Sequence, residues 1–124
     1  MKKETQLSLI KKLNPSISMS DLQLYFKEVF HLRGFDNQKP QDKLLLLMEE
    51  VGELAKAIRK KDSPLGIDYD RIENYDTIES ETADVFILLI SICNLLDINL
   101  MNAVIEKEKK NTERNWGKWQ LIYI

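Results

Sequence analysis

The fold of this chain is decided by residues 44–59, which read Leu44-Leu-Leu-Leu-Met-Glu-Glu-Val-Gly-Glu-Leu-Ala-Lys-Ala-Ile-Arg59. Apolar residues recur there at steps of three and four, the spacing of one face of an α-helix. This stripe consists of Leu44, Leu47, Met48, Val51, Leu54, Ala55 and Ile58. We therefore predict a helix that begins near Pro40, runs to about Lys61 and buries the stripe.

Two pairs of acidic residues stand in apolar helical sequence. Glu50 and Glu53 are three residues apart, as are Glu81 and Asp84, so each pair shares one helix face. If the two helices pack together, four carboxylates meet, and such a cluster needs a cation. Carboxylate ligands favour Mg²⁺ or Mn²⁺, whereas iron is disfavoured because the only histidine, His31, is in no Glu-x-x-His pair. The alternative is a helical interaction module whose acids are solvated surface.

Caps and apolar periodicity predict three more helices. The predicted spans are 21–33, 77–96 and 100–115. Ser18 or Ser20 caps the first, Gly34 ends it, and Asn99 caps the last. The sequence therefore predicts an all-α, four-helix-type bundle.

The third predicted helix is apolar on nearly every side from Val85 to Leu96. A helix with no polar face is buried all round, and a monomer with four helices cannot surround it. We therefore expect a homodimer or homotetramer built around this helix.

Length and composition limit the function classes. The chain has 124 residues, which suits a single domain over 1–124, with a flexible extension at 1–17, a loop at 62–76 and a tail at 116–124. A net charge of −2 predicts no nucleic-acid binding. The single cysteine, Cys93, and the absence of a leader or a membrane-length apolar run favour a cytoplasmic protein without a membrane partner.

The acidic pairs are also the basis of a family resemblance. Glu49-Glu50-Val-Gly-Glu53 and Glu81-Thr-Ala-Asp84 resemble the EExxE…ExxD signature of the MazG-like all-α nucleoside triphosphate pyrophosphohydrolases. The similarity spans about residues 22–116. It implies Mg²⁺-dependent hydrolysis, with Mn²⁺ as a substitute, of a (deoxy)nucleoside triphosphate to monophosphate and pyrophosphate in nucleotide-pool cleaning. A phosphoribosyl-ATP pyrophosphatase, with similar chemistry and a bulkier substrate, is the rival.

The resemblance implies a role for each matching residue. Metal ligands are Glu50, Glu53, Glu81 and Asp84, and water activation falls to Glu50 and Glu49. Phosphate contacts are Lys43, Lys107, Asn111 and Arg114, and base stacking is assigned to Phe35. Several of these residues also have a purely structural interpretation. Glu49 is then a solvated neighbour of the cluster, Lys107 and Arg114 form a charged helix end, and Phe35 is a hydrophobic staple. Many relatives carry tyrosine where this chain has Leu88, so a sugar contact is missing.

Overall fold

A computed structural model describes residues 2–62, 77–115 and 117, and within them the chain is helical and contains no strand. The helices are α1 (Lys2–Ile10), α2 (Met19–Leu32), α3 (Pro40–Asp62), α4 (Ile78–Leu95) and α5 (Leu100–Thr112). The predicted all-α class and the four predicted helices are confirmed. Of the described helices, none is by itself long and apolar enough to cross a membrane; α4 and α5 pass that test only together, across a sharp bend.

Side-chain caps fix where three helices begin. Ser18 accepts a hydrogen bond from the Asp21 backbone N–H at 3.1 Å, which identifies it as the cap of α2. Thr77 caps α4 in the same way, and Asn99 caps α5 as predicted. Because each cap satisfies a backbone donor that the helix leaves unpaired, these residues set the helix starts.

The apolar core lies between α2 and α4. Its buried side chains are Tyr25, Phe26 and Val29 on α2 and Ile90 on α4, and the last two are fully buried. The rings of Tyr25 and Phe26 pack edge to face, with centroids 5.0 Å apart. Burying an aliphatic side chain of this size stabilises the fold by about 1.5–3 kcal/mol. This interface therefore holds α4 in place.

Helix α3 packs on α4 along one row of its surface. That row holds Lys43, Leu47, Glu50, Leu54 and Ala57, all buried or half-buried. The adjacent row, which we call the outer seam, consists of Leu44, Met48, Val51, Ala55 and Ile58 and is exposed. The prediction that the whole apolar stripe is buried is thus wrong, because α4 is the only described helix that packs closely on α3 and it covers the other row.

Helix α4 is also incompletely covered. Phe86 and Leu89 remain 37% and 38% exposed, although Ile90 and Cys93 on the same helix are buried. The described part of the chain therefore leaves apolar surface open on α4, as the sequence leads us to expect.

A polar junction joins α2, α4 and α5. Gln23 is buried; its side-chain amide donates to Asn94 Oδ1 at 3.1 Å and to the Ile98 carbonyl at 2.9 Å, and its oxygen accepts from the Leu100 N–H at 2.9 Å. Asn94 in turn donates to the Gln23 carbonyl at 2.9 Å. Asp97, in the turn, has a positive φ of 54°. Because these buried polar groups satisfy one another, α5 leaves the bundle in a fixed direction.

The N-terminal extension is helical over Lys2–Ile10 and packs on α2, with Arg33 Nε donating to Gln6 Oε1 at 2.9 Å. The sequence predicts a flexible segment there. Only Asp62 of the predicted loop 62–76 and Gly117 of the predicted tail 116–124 are described, so both predictions lie outside the described residues.

Candidate functional site

Three carboxylates from two helices meet at the α3–α4 contact. One oxygen from each of Glu50, Glu81 and Asp84 lies within 4.8 Å of the others. Glu81 is buried and the other two are half-buried. The spacing of Glu81 and Asp84 places both on one face of α4, and the row of α3 that faces α4 brings Glu50 opposite them. We call these three residues the carboxylate cluster.

The cluster is electrostatically unfavourable as it stands. Partial burial raises the pKa of Glu50 above its ordinary value, and the charges of Asp84 and Glu81 raise it further. A hydrogen bond to Glu81 and the charge of Glu53 act in the same direction on the Glu50 pKa. Like charges in one site are relieved either by a shared proton or by a cation. An all-oxygen set of this kind matches the ligand preference of Mg²⁺ and Mn²⁺.

The two remaining acids of the first motif lie beside the cluster. Glu53 is half-buried and forms an ion pair with Lys56, at 3.5 Å between Oε1 and Nζ. Its charge is felt by Glu50, but its oxygens are not among those that meet. Glu49 is exposed. The structure thus brings three of the four predicted ligands together.

Lys43 occupies an aromatic box. Its ammonium group lies 5.0 Å from the ring centroid of Phe30 and 5.2 Å from that of Phe35, and the residue is only 4% exposed. Burial lowers the pKa of the ammonium below its ordinary value. Attraction between a cation and an aromatic face holds the side chain in place. Because Lys43 lies two helical turns, about 10 Å, from Glu50, it is outside the carboxylate cluster.

A small pocket of about 130 Å³ opens between the C-terminal half of α2, the connector that follows it and the C-terminal half of α4. Phe30 and Phe35 line it, together with Ser91 of α4 and the ion pair of His31 with Asp36 at 2.8 Å. Ser91 is 3% exposed, and its hydroxyl has no hydrogen-bond partner among residues 2–62 and 77–115. Because Ser91 lines the pocket, its hydroxyl can bond a polar group that enters there.

A larger cavity of about 480 Å³ lies elsewhere. The described residues that line it, among them Lys12, Asn14 and Glu28, belong to α2 and to the segment before it. No described residue of α3 or α4 borders it, so it has no connection to the carboxylate cluster.

The basic residues of α5 are not brought to the cluster by the chain that carries them. Lys107 and Arg114 are exposed and Asn111 is half-buried. Helix α5 begins at the end of α4 that is remote from Glu81 and runs at 98° to it. The structure therefore separates these three predicted phosphate contacts from the predicted metal ligands.

Sequence reasoning missed two contributors to the site. Phe30 has no motif around it in the sequence, yet its ring contacts Lys43. Ser91 was overlooked inside an apolar run. A signal for it exists, because Ser91 follows Asp84 by seven residues and so shares its helix face.

The sequence also matches a known protein family. The family model of the MazG nucleotide pyrophosphohydrolase domain matches residues 38–117. The chain belongs to this family. The matched region of this MazG domain contains α3, α4 and α5, with every acidic and basic residue assigned above, and it begins after Phe35. Members of the family are nucleotide pyrophosphohydrolases, which makes the protein a hydrolase by membership.

A relative from Bacillus subtilis strain 168, called uncharacterized protein YvdC, is 26% identical over 102 residues. The alignment covers 79% of this MazG-domain chain and 96% of the relative. The relative thus has nearly the same extent as the matched part of this chain, and its name carries no activity.

Proposed function

We propose that this MazG domain hydrolyses nucleoside or deoxynucleoside triphosphates to monophosphate and pyrophosphate, with Mg²⁺ as cofactor and Mn²⁺ as a substitute. The observation that carries the proposal is the convergence of Glu50, Glu81 and Asp84 in a chain of this family. Acids that only solubilise a helix face outward, whereas Glu81 is buried in the α3–α4 contact. A metal ion held by these carboxylates would allow a polyanionic phosphate to bind next to them.

The proposed metal ligands are Glu50, Glu81 and Asp84, joined by Glu53. Glu53 must leave Lys56 to do so, and this costs little because an exposed ion pair of this kind is worth about 0–1 kcal/mol. A bound ion would neutralise part of the phosphate charge and lower the pKa of a bound water.

The proposed route for the proton of the attacking water involves two acids. Glu50 accepts the proton, and exposed Glu49 orients the water or holds an additional ion. The competing role for Glu49 is that of a solvated neighbour. A Glu49→Gln variant that retains full activity would select that role.

The nucleoside end of the substrate is proposed to lie at the aromatic pocket. Phe35 offers a ring for stacking, while Lys43 and Ser91 offer polar contacts to groups that enter there. Lys43 is two helical turns from Glu50, so we assign it to the phosphate nearest the sugar and not to the metal-bound phosphates. Half-buried Leu88 offers no hydroxyl to a sugar, which favours a site that accepts both ribose and deoxyribose.

We further propose a homodimer or homotetramer in the cytoplasm, with a role in clearing unwanted nucleotides. The open outer seam of α3 and the exposed faces of Phe86 and Leu89 support the assembly. The buried, unpaired Cys93 is consistent with a reducing compartment. We propose no contact with nucleic acid or membrane.

A panel of canonical and damaged nucleotides tests the function. Each nucleotide is incubated with Mg²⁺, with Mn²⁺ and with a chelator, and pyrophosphate is scored against orthophosphate. We expect pyrophosphate only, and only with a metal. Orthophosphate as the sole product would contradict cleavage between the α- and β-phosphates. Turnover of phosphoribosyl-ATP alone would select the rival enzyme, and no turnover with no metal stabilisation would select an interaction module.

A further inference from the structure

The small pocket contains a histidine and an aspartate that the proposed function does not use. His31 Nδ1 lies 2.8 Å from Asp36 Oδ2, and both residues line the pocket. This bond joins the last turn of α2 to the connector before α3. An ionised carboxylate only accepts hydrogen bonds, so the proton of the neutral imidazole stands on Nδ1. Asp36 therefore fixes the tautomer of His31, and Nε2 is the ring nitrogen left to accept a hydrogen bond.

Few other polar groups of the pocket are available to a ligand. Both polar atoms of the Asn94 side chain are bonded to Gln23, at 3.1 Å and 2.9 Å. In the part of the chain that the structure describes, nothing bonds Nε2 of His31 or the hydroxyl of Ser91. Beside the exposed ammonium of Lys27, the described lining thus offers a ligand one acceptor and one hydroxyl.

The size and the walls of the pocket suit a planar heterocycle. Its volume of about 130 Å³ is below the roughly 300–1,000 Å³ of sites that enclose a drug-sized molecule, so it takes a base and not a whole nucleotide. Phe30 and Phe35 form one wall, with ring centroids 5.7 Å apart and ring planes at 49°. Aromatic rings with hydrogen-bonding groups beside them are a common means of binding a base.

The pocket lies within reach of the carboxylate cluster. Ser91 follows Asp84 by seven residues, which places it about 10 Å further along the same face of α4. The sugar and the α-phosphate of a nucleotide bridge such a distance. The cluster binds the phosphates that all nucleoside triphosphates share, so the pocket is the place where one base is distinguished from another.

We propose that the pair of His31 and Asp36 selects bases that carry an exocyclic amino group. Nε2 accepts a hydrogen bond from the amino group of adenine or cytosine. The carbonyl oxygen that replaces this group in hypoxanthine or uracil would place two acceptors opposite each other, which is unfavourable. The inference rests on the proposed function, because base selection matters only in a chain that binds nucleotides. His31 is then a specificity-determining residue, and Asp36 is a positioning residue that acts through it.

Matched pairs of triphosphates test the selection. ATP and ITP differ in whether the exocyclic position carries an amino group or an oxygen, and so do CTP and UTP. We expect kcat/KM to favour ATP and CTP by about two- to tenfold, the effect of one hydrogen bond between neutral groups. His31→Phe keeps a ring but removes the acceptor, so it should abolish this preference. Lys39→Gln changes an exposed residue of the same connector outside the pocket and should preserve it.

Nuclear magnetic resonance reports binding at His31 without turnover. The chain has a single histidine, so the ring nitrogen signals are assigned directly. In metal-free protein, adenosine and cytidine should shift the Nε2 signal more than inosine and uridine do. In Asp36→Asn the amide can donate to Nδ1, which moves the ring proton to Nε2, and the preference for amino groups should then fall or reverse. A bond with a structural role alone predicts none of these changes.

The outcomes separate the inference from the function on which it rests. A wild type that releases no pyrophosphate, but whose His31 signal shifts with adenosine or cytidine, contradicts the proposed function alone. An active wild type whose His31 signal does not move, or an undiminished preference in His31→Phe, overturns the selection by His31. Preference for ITP and UTP would overturn it too, and a wild type with neither turnover nor shift contradicts both proposals. Circular dichroism of each variant confirms that the fold is retained.

Discussion

Helix α4 contacts two neighbours, and the two contacts differ in chemistry. Toward α2 it presents Ile90 to an aromatic and aliphatic core in which the polar groups of Gln23 and Asn94 are mutually bonded. Toward α3 it presents Glu81 and Asp84, whose carboxylates meet that of Glu50. The first contact is built for stability. The second is partly buried and brings like charges together, which raises the pKa of Glu50.

The largest effect is expected from damage to the α2–α4 contact. Ile90→Ala removes a fully buried side chain from a packed core and should destabilise the fold by about 2–5 kcal/mol. Urea unfolding measures it. Leu24→Ala on α2, where the side chain is 53% exposed, is the matched control and should change stability by less than about 0.5 kcal/mol. Equal losses in both variants would show that the core is not where we place it.

A substitution in the α3–α4 contact should lower activity without lowering stability. Glu50→Gln removes a charge from the cluster and is expected to lower Mg²⁺-dependent pyrophosphate release by at least about a hundredfold, because a catalytic ion contributes several kcal/mol to the transition state. Glu79→Gln, which changes an exposed acid in the first turn of α4 outside the cluster, should leave the rate unchanged. A Glu50→Gln enzyme with wild-type rate would remove Glu50 from the ligand set.

The polar junction of α2, α4 and α5 can be weakened without changing either contact of α4. Gln23→Ala leaves the Leu100 N–H and the Ile98 carbonyl without their partner and should cost about 1–3 kcal/mol for each group left unpaired. Hydrogen exchange of the α5 amides should accelerate more than that of α2. Exposed Gln41→Ala is the control, and unchanged α5 exchange in Gln23→Ala would show that the junction does not hold α5.

Ser91 tests whether the small pocket binds the nucleoside end of the substrate. Ser91→Ala should leave the fold as stable as before, because the hydroxyl has no bond to lose within the described residues. If the hydroxyl contacts the nucleotide, KM should rise about two- to tenfold at constant kcat, the effect of one hydrogen bond of about 0.5–1.5 kcal/mol. An unchanged KM would exclude the contact.

The smallest effect concerns pH. Because the folded state holds a proton on Glu50 more tightly than the unfolded state does, metal-free protein should lose stability as pH rises from the ordinary glutamate pKa of 4.5 through the raised pKa of Glu50. Thermal unfolding with a chelator measures this loss, which Glu50→Gln should abolish. Added Mg²⁺ should restore stability at the upper end of that range by mass action. Stability that rises over the same range in the wild type alone would contradict the raised pKa.

Much of the site was readable in the sequence because the signals are local. Caps at Ser18, Thr77 and Asn99 define helix starts through bonds within one turn, and three-residue spacing puts Glu81 and Asp84 on one face. The burial of the apolar stripe was not readable. Period alone shows that Leu44 and Leu47 lie near one face of α3, but it does not say that α4 covers only the row containing Leu47.

The sequence by itself determined that the chain is helical, where its helices begin, and that two acidic pairs stand on apolar helices, because each of these depends on residues within a few turns. Tertiary structure alone decided that Glu50 meets Glu81 while Glu53 pairs with Lys56, that Lys43 is held between two rings, and that α5 leaves at a right angle. These features depend on which helix row faces which neighbour, and that choice is made by packing across the whole bundle.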